Sequence, residues 1–458
     1  MLLQVSLLIF IFTVVVGILN GTDLVEFKGQ QGHQTLLTHV HGGTLGWITL
    51  SVIAASLWLF GSGEISRREE MIGRGLAHAA AATVIVYLVV FLTTVSWVRP
   101  IVGSLVTAVV IAFLGWVAMR ARGRELTVPH LGILAAVASS GIGAVLGVIW
   151  AIQITTGNEI FIEDGEGSHP ATMVVGFLIP VSMALSEWAF RRGRLPLPGR
   201  LGVLQILLPF LGGLSLMLGL LMDVLPLVMM SLPLELAAPL IYLWRMWPDL
   251  KAVDWIGGAE ERFAALSVVW LVLNLGYFVL IINKYAEDFD AAPLGQVLVL
   301  DHLMFVGVMT NAIIALMAVA TVARRELWSW ADTPILLAMN VGLIGFIVGL
   351  LSGEAIWKQV STPIMGGAIL LAIVLYTMRL QGAGSAPEQP PARSRSVPAG
   401  RQLTVDRLAA RPRAGAPRSA FTVVTWPFFT PRLGRRGQRR GMPIDRVQGL
   451  SVGCTQTT

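Results

Sequence analysis

Twelve apolar runs, each close to the about 20 residues a helix needs to cross a hydrocarbon core, occupy the first 380 residues of this chain. They fall at about 2–19, 39–60, 76–97, 101–119, 131–154, 171–190, 201–221, 224–243, 264–283, 296–320, 334–352 and 362–378. Inside a bilayer no water is available to bond backbone N–H and C=O groups, so runs of this length must satisfy them within α-helices. With 55% hydrophobic and only 13% charged residues, the chain lies outside the soluble globular range. The expected fold is all-α: a polytopic membrane protein of about twelve transmembrane helices.

Charge sets the orientation. Alternate connections carry the arginines: Arg67, Arg68 and Arg74; Arg120, Arg122 and Arg124; Arg191, Arg192, Arg194 and Arg200; Arg245, Lys251 and Arg262; Arg324 and Arg325. The intervening connections are neutral or acidic, with Glu159, Glu163, Asp164 and Glu166, and later Glu287, Asp288 and Asp290. The positive-inside rule then places both termini in the cytoplasm of a multi-pass protein of the plasma (inner) membrane. The first run starts at Met1 with no basic n-region and no small-residue cleavage site before Asn20, which reads as a retained helix. Cys454 is the lone cysteine, so intrachain disulfides and cysteine metal clusters are excluded.

The composition divides the chain into a twelve-helix domain, 1–380, and a tail, 381–458. The tail holds 13 arginines against Glu388, Asp406 and Asp445, a net +10, so the rest of the chain is net −4. Rich in Gly, Pro, Ser and Arg, it cannot bury enough apolar surface to offset its ordering entropy, and disorder is expected. A basic cytoplasmic tail suits anionic lipid head groups; without a folded motif, nucleic acid is not expected as a partner. The membrane body has the lipid bilayer itself as its first partner.

The chemistry lies with the histidines. In Leu37-Thr38-His39-Val40-His41-Gly42-Gly43-Thr44-Leu45-Gly46-Trp47 two imidazoles begin helix 2 at its outer end, with glycines directly behind them. An imidazole in a membrane is costly unless a metal, a haem iron or a proton path holds it. His169, in Gly167-Ser168-His169-Pro170, begins helix 6 from the outer side, and His302 lies about six residues into helix 10, again from outside. Helices 2, 6 and 10 thus present histidine at a similar outer depth. His33 belongs to the first outer loop, while His78 and His130 start helices 3 and 5 at the cytoplasmic side, as interfacial residues do.

Residues i and i+2 of a helix point about 200° apart, so His39 and His41 cannot serve the same face of one iron. Either one ligates while the other does something else, or they serve two separate centres. A low-spin haem takes two axial imidazoles, which His41 (or His39) and His302 would supply. Gly42, Gly43 and Gly46 would offer the porphyrin a flat surface, and Asp301 would orient a ligand or face the outer water.

Twelve helices with outer histidines on helices 2, 6 and 10 resemble subunit I of the haem-copper oxidase superfamily, nitric oxide reductases included. The text from Thr38 to Trp47 looks like helix 2 of short, divergent members, and Asp301-His302-Leu303-Met304-Phe305-Val306-Gly307 is similar in style to helix 10. The resemblance implies a haem b, with His39, His41, His169 and His302 as the metal ligands, copper or another second metal as an open position, and a cytochrome or quinol as electron donor. Any catalysis would be that of a cytochrome oxidase-like oxidoreductase. The departures bear on this. Helix 10 has one histidine where a full oxidase has two, helix 7 has none, and no tyrosine follows His169 by one turn. An intact copper-containing oxygen-reducing centre is therefore not expected, and NnrS-like haem proteins offer a related template.

A twelve-helix transporter or permease is the rival from another class, with Glu235 between Pro233 and Pro239 suited to a broken helix. The loop between helices 6 and 7 is short for a major-facilitator protein, whose Gly-Asp-Arg-Gly-Arg pattern is also absent. A third alternative is an assembly subunit that kept the fold without the cofactor. Asn274, Asn311 and Asn340 are the residue type that joins membrane helices.

Overall fold

The computed structural model describes residues 1–381 except 95, 163–164, 193–194 and 286–290; the tail reading falls outside the described residues. Twelve helices are long and apolar enough to cross a membrane: α1 (Leu2–Gly21), α2 (Gly29–Gly61), α3 (Arg67–Thr93), α4 (Val98–Ala121), α5 (Val128–Thr156), α6 (Gly165–Arg191), α7 (Arg200–Met222), α8 (Leu225–Lys251), α9 (Ala259–Tyr285), α10 (Leu294–Ala320), α11 (Ser329–Ser352) and α12 (Ala355–Gln381). The chain is an all-α, multi-pass membrane protein, and residues 1 and 381 emerge on the same side.

Several helices begin before their apolar runs. Hydropathy marks the hydrocarbon layer, whereas a helix starts where its free N–H groups find acceptors. Ser66 caps α3 in a capping box: its Oγ accepts the Glu69 N–H (3.2 Å) and the Glu69 carboxylate accepts the Ser66 N–H (3.0 Å). Helix α2 starts at Gly29, so His39 and His41 lie about three turns inside it rather than at its beginning. Asp223, in the left-handed region at φ 52°, makes the tight reversal that separates α7 from α8. Helix α8 runs unbroken through Pro233, Pro239 and Pro248. Neighbouring helices let a membrane helix tolerate proline, so the expected break at Glu235 does not occur.

Three helices form the centre. In their most apolar stretches α2, α6 and α10 are 67%, 89% and 78% buried, against 28–56% for the other nine. The same three helices widen into π-helical stretches: Gly42–Thr49, Thr172–Leu178 and Leu303–Thr310. Such widenings often sit at functional positions. In two of them a threonine hydroxyl follows the wider winding, Thr49 donating to Thr44 O (2.9 Å) and Thr310 to Phe305 O (2.8 Å).

Superposing these stretches in sequence exposes an internal repeat of four helices: α1–α4, α5–α8 and α9–α12. The fifth residue of each π stretch is a buried glycine, Gly46, Gly176 or Gly307. A Cβ there would collide with Ile9, Ser139 or Trp270 respectively. Each of those residues lies on the helix just before, and each precedes its glycine by the same 37 positions. The repeat extends to the other end of the bundle, where the fourth helix of each unit supplies a clamping arginine. Arg120 donates to Phe60 O (3.1 Å) and Glu64 O (3.0 Å). Arg245 grips the Glu187 carboxylate at 2.8 and 2.9 Å. Arg379 grips Asp332 at 2.9 and 3.0 Å.

Candidate functional site: two histidine pairs at one end of the bundle

The repeat register decides how the four histidines relate. His39 and His169 occupy equivalent positions on α2 and α6, three residues before their π stretches. His41 and His302 are likewise equivalent on α2 and α10, one residue before theirs. The matched depth expected from hydropathy holds within each set.

The hydrogen bonds follow the same classes. His39 Nδ1–H donates to Thr13 O of α1 (2.8 Å), and His169 Nδ1–H to Gly143 O of α5 (2.7 Å), both across 26 residues. His41 Nδ1–H donates instead to Leu37 O (2.8 Å) and His302 Nδ1–H to Leu298 O (2.7 Å), each one turn back on its own helix. A carbonyl only accepts, so in all four rings Nδ1 carries the proton and Nε2 keeps the lone pair. That is the tautomer a metal requires, with its second nitrogen oriented from behind. His78 makes the same turn-back bond to Arg74 O on an exposed face, so this bond alone does not define a site. The surroundings do. Asp301 does not take the orienting role; the carbonyl one turn back shares the face of His302, whereas the adjacent residue lies about 100° round the helix.

Each ring packs against a bare or aromatic surface of a neighbouring helix. Gly17 of α1 and Gly147 of α5, again equivalent, leave their Cβ positions to the rings of His39 and His169, with Cε1 only 3.1 and 2.8 Å from where a Cβ would stand. His41 packs on Phe91 of α3 (centroids 4.3 Å) with Tyr87 edge-on at 5.9 Å, and His302 on Phe346 of α11 (4.6 Å). His39 therefore faces α1 while His41 faces α3, which is the divergence their spacing demands. All four histidines are enclosed in this way and are half-buried as residues.

Packing brings the histidines together as pairs. Trp47 Nε1–H of α2 donates to Thr310 Oγ1 of α10 (3.2 Å). These two residues lie eight positions beyond His39 and His302 on helices running in the same direction, so the two histidines share a level. By the same register His41 of α2 and His169 of α6 form the second such combination. The first pair sits among α1, α2, α10 and α11; the second among α2, α3, α5 and α6. Of the two histidines on α2, His39 is the one this register sets level with His302. Among the described residues no group of three or more His, Cys, Asp and Glu side chains gathers in metal-binding reach.

Gly42, Gly43 and Gly46, expected to bed a porphyrin, do something else. A Cβ at Gly42 would stand 2.5 Å from Thr13 Oγ1 and one at Gly43 3.6 Å from Thr13 Cγ2, while Gly46 abuts Ile9. They bring α2 against α1, and Gly17 and Gly147 are the glycines that touch imidazole. The three asparagines act as helix joints: Asn311 Nδ2–H donates to Asn340 Oδ1 (3.0 Å), Trp270 Nε1–H to the same oxygen (2.6 Å), and Asn274 Nδ2–H to Leu300 O (2.9 Å). His130 joins Thr127 at the start of α5 (2.7 Å) and stands apart from the four. Glu187 is taken by Arg245. The carboxylate of Glu235 is buried with no hydrogen-bond partner among the described residues.

Sequence reasoning passed over Gly17, Gly147, Phe91, Phe346 and Arg99. The signal that finds the two glycines is the recurrence of the four-helix unit, Gly147 following Gly17 by the same 130 positions as His169 follows His39; Phe91, Phe346 and Arg99 emerge only from the packing. No protein-family model matches the chain, and no curated protein matches its sequence.

Proposed function

We propose that the chain is a multi-pass b-type haem protein of the plasma membrane that transfers electrons, with His39 and His302 as the two axial ligands of a haem. The observation that carries this reading is the ligand geometry. Two enclosed imidazoles on parallel central helices share one level, each with Nδ1 tied to a backbone carbonyl and Nε2 free to bind.

The residues fit the group. Haem iron takes two further ligands beyond its porphyrin nitrogens, and two histidines set at one level on neighbouring central helices would suit it. When bound, the haem supplies a one-electron couple inside the membrane. The protein holds the imidazoles in one tautomer, flanks them with Gly17 and Phe346, and excludes water by burying the site among four helices. The resemblance to the haem-copper oxidase superfamily supports the same pairing of helices 2 and 10. A cytochrome or quinol fits as electron donor, and no oxygen-reducing step is part of this proposal.

The test is a visible spectrum of the purified, dithionite-reduced protein. Sharp b-type bands that weaken in His302→Ala and His39→Ala are expected. A colourless protein, correctly inserted in the membrane, would overturn the reading in favour of a transporter or an assembly subunit.

A further inference from the structure

We propose that His41 and His169 form a second bis-imidazole haem site, equivalent to the first by the internal repeat, with Arg99 as its propionate-binding cation. The inference rests on the haem reading above. It adds a site that the helix 2 and helix 10 pairing implied by the resemblance does not contain.

Three independent observations carry it. The first is register: His39 with His302 and His169 with His41 are the same two positions of the repeat, each set combining one ring bonded across to the preceding helix with one bonded to its own. The second is the bed. Gly147 repeats Gly17 against the ring, and a Cβ there would stand 2.8 Å from His169 Cε1. Tyr87 reaches across toward α4 and α5, where a Cβ at Gly103 would lie 3.3 Å from its ring and 3.5 Å from Val148.

The third is a buried charge. Arg99, at the start of α4, is only 8% exposed, and its Nε has no hydrogen-bond partner among the described residues. Its Nη2–H donates to Phe91 O (3.0 Å), and its guanidinium lies 3.8 Å from the centre of the Phe91 ring that packs on His41. A guanidinium in such a place asks for an anion, and its planar fork suits a carboxylate. Haem carries two carboxylates on one edge. An arginine at the histidine end of the bundle, one aromatic ring away from an axial ligand, is where a propionate would be met.

The two haems would lie on opposite sides of α2, their ligands separated only by Val40. Both pairs sit at the same end of the membrane, so the pair of haems would carry electrons laterally rather than from face to face.

Haem per chain, measured on the full-length protein as the pyridine complex, together with a redox titration, tests this. Two haems and two reduction waves are expected. His169→Ala and His41→Ala should each leave one haem and keep the wave that His302→Ala removes, while His78→Ala keeps both. His169→Met, which retains a ligand atom, covers the case in which the alanine variant fails to fold; it should keep two haems and shift one wave. Arg99→Gln should lower the midpoint of that same wave alone, because removing a cation disfavours the added electron. One haem per chain, lost in His302→Ala but kept in His169→Ala, would overturn the second site and leave the first standing. No haem at all would overturn both.

Discussion

The three four-helix units share a scaffold and differ in what they place at its histidine end. Where α1 and α2 are joined by His39 bonding Thr13 O, and α5 and α6 by His169 bonding Gly143 O, α9 and α10 are joined by Asn274 bonding Leu300 O, again across 26 residues. The hydrogen bond between first and second helix is thus present in all three units, with its direction reversed in the last. A histidine is therefore not needed for the tether. What it adds is a second nitrogen, and that addition is made twice. In the third unit's compartment Leu300 and Ala171 hold the equivalent positions, and α7 lies directly against α6, where a Cβ on Gly213 would stand 2.6 Å from Gly176 N. At the opposite end the arginine clamps recur in every unit. The tether and the clamp are thus kept three times and the histidine pair of positions twice, so the proposed haem sites predict a clean division: histidine substitutions should change bound haem, and clamp substitutions should change stability.

The largest expected effect removes one ligand from each pair. The double variant His41→Ala/His302→Ala should yield a folded, colourless membrane protein, read from its absorption spectrum and its monodisperse elution in detergent. Installing the missing ligands tests the comparison from the other side. Leu300→His with Ala171→His should bind no additional haem, because α7 lies against α6 in that compartment. A gain in haem content would show that the third position differs only in its ligands.

Next in size is a break in a clamp that all units share. Asp332 is nearly fully buried and holds Arg379 by two charge-assisted bonds, with Tyr376 donating a third at 3.0 Å. Asp332→Ala leaves the guanidinium buried without its counter-charge, and loss of one member of such a pair typically costs about 3–5 kcal/mol. Thermal unfolding in detergent should show that loss while the haem spectrum of the folded fraction stays unchanged. A spectral change would place the clamp in the ligand machinery and weaken the separation between the two ends.

Smaller effects are expected at the glycines behind the rings. Gly17→Leu and Gly147→Leu drive a side chain into His39 and His169 respectively. Disturbing the groups that orient a metal ligand commonly costs about 10–100-fold in affinity. Each variant should lose one haem by about that factor and spare the other, as seen by haem titration into the apoprotein.

How much of this was legible in the sequence depended on which length scale wrote it. The bilayer fixes helix length, so twelve spans could be counted directly, and the turn at Asp223 that barely separates α7 from α8 was visible as well. Helix starts were not, because caps such as Ser66 lie outside the hydrocarbon and leave no hydropathy signal. The i, i+2 spacing of His39 and His41 showed that they diverge, but choosing the partner of each needed tertiary register. That register is written faintly: of the residues that carry it, two sets are identical in all three units, the glycines Gly46, Gly176 and Gly307 and the arginines Arg120, Arg245 and Arg379. The rest of the code is shape, with Ile9, Ser139 and Trp270 filling one role in three different chemistries. Gly42 and Gly43 looked like a porphyrin bed because a glycine records only close approach, not what approaches.

The smallest expected effect lies at the rim of the first compartment, where Arg99 of the second has a loose counterpart. Lys358 at the start of α12 donates to the Asp23 carboxylate (2.9 Å), and Gln359 to its other oxygen (3.1 Å). The Lys358 hydrogen bond holds the Asp23 carboxyl below its ordinary value. A carboxyl lowered in the folded state contributes stability that is present above the ordinary aspartate range and fades as pH falls through its folded value. Asp23 is 48% exposed, so solvent screening limits the pair to about 0–1 kcal/mol. Asp23→Asn should therefore lower stability by a fraction of that at neutral pH, with the difference vanishing in acid or in high salt. If the same variant shifted a haem midpoint, Lys358 would be acting on the first haem as Arg99 is proposed to act on the second, and the rims of the two compartments would be chemically alike as well as structurally equivalent.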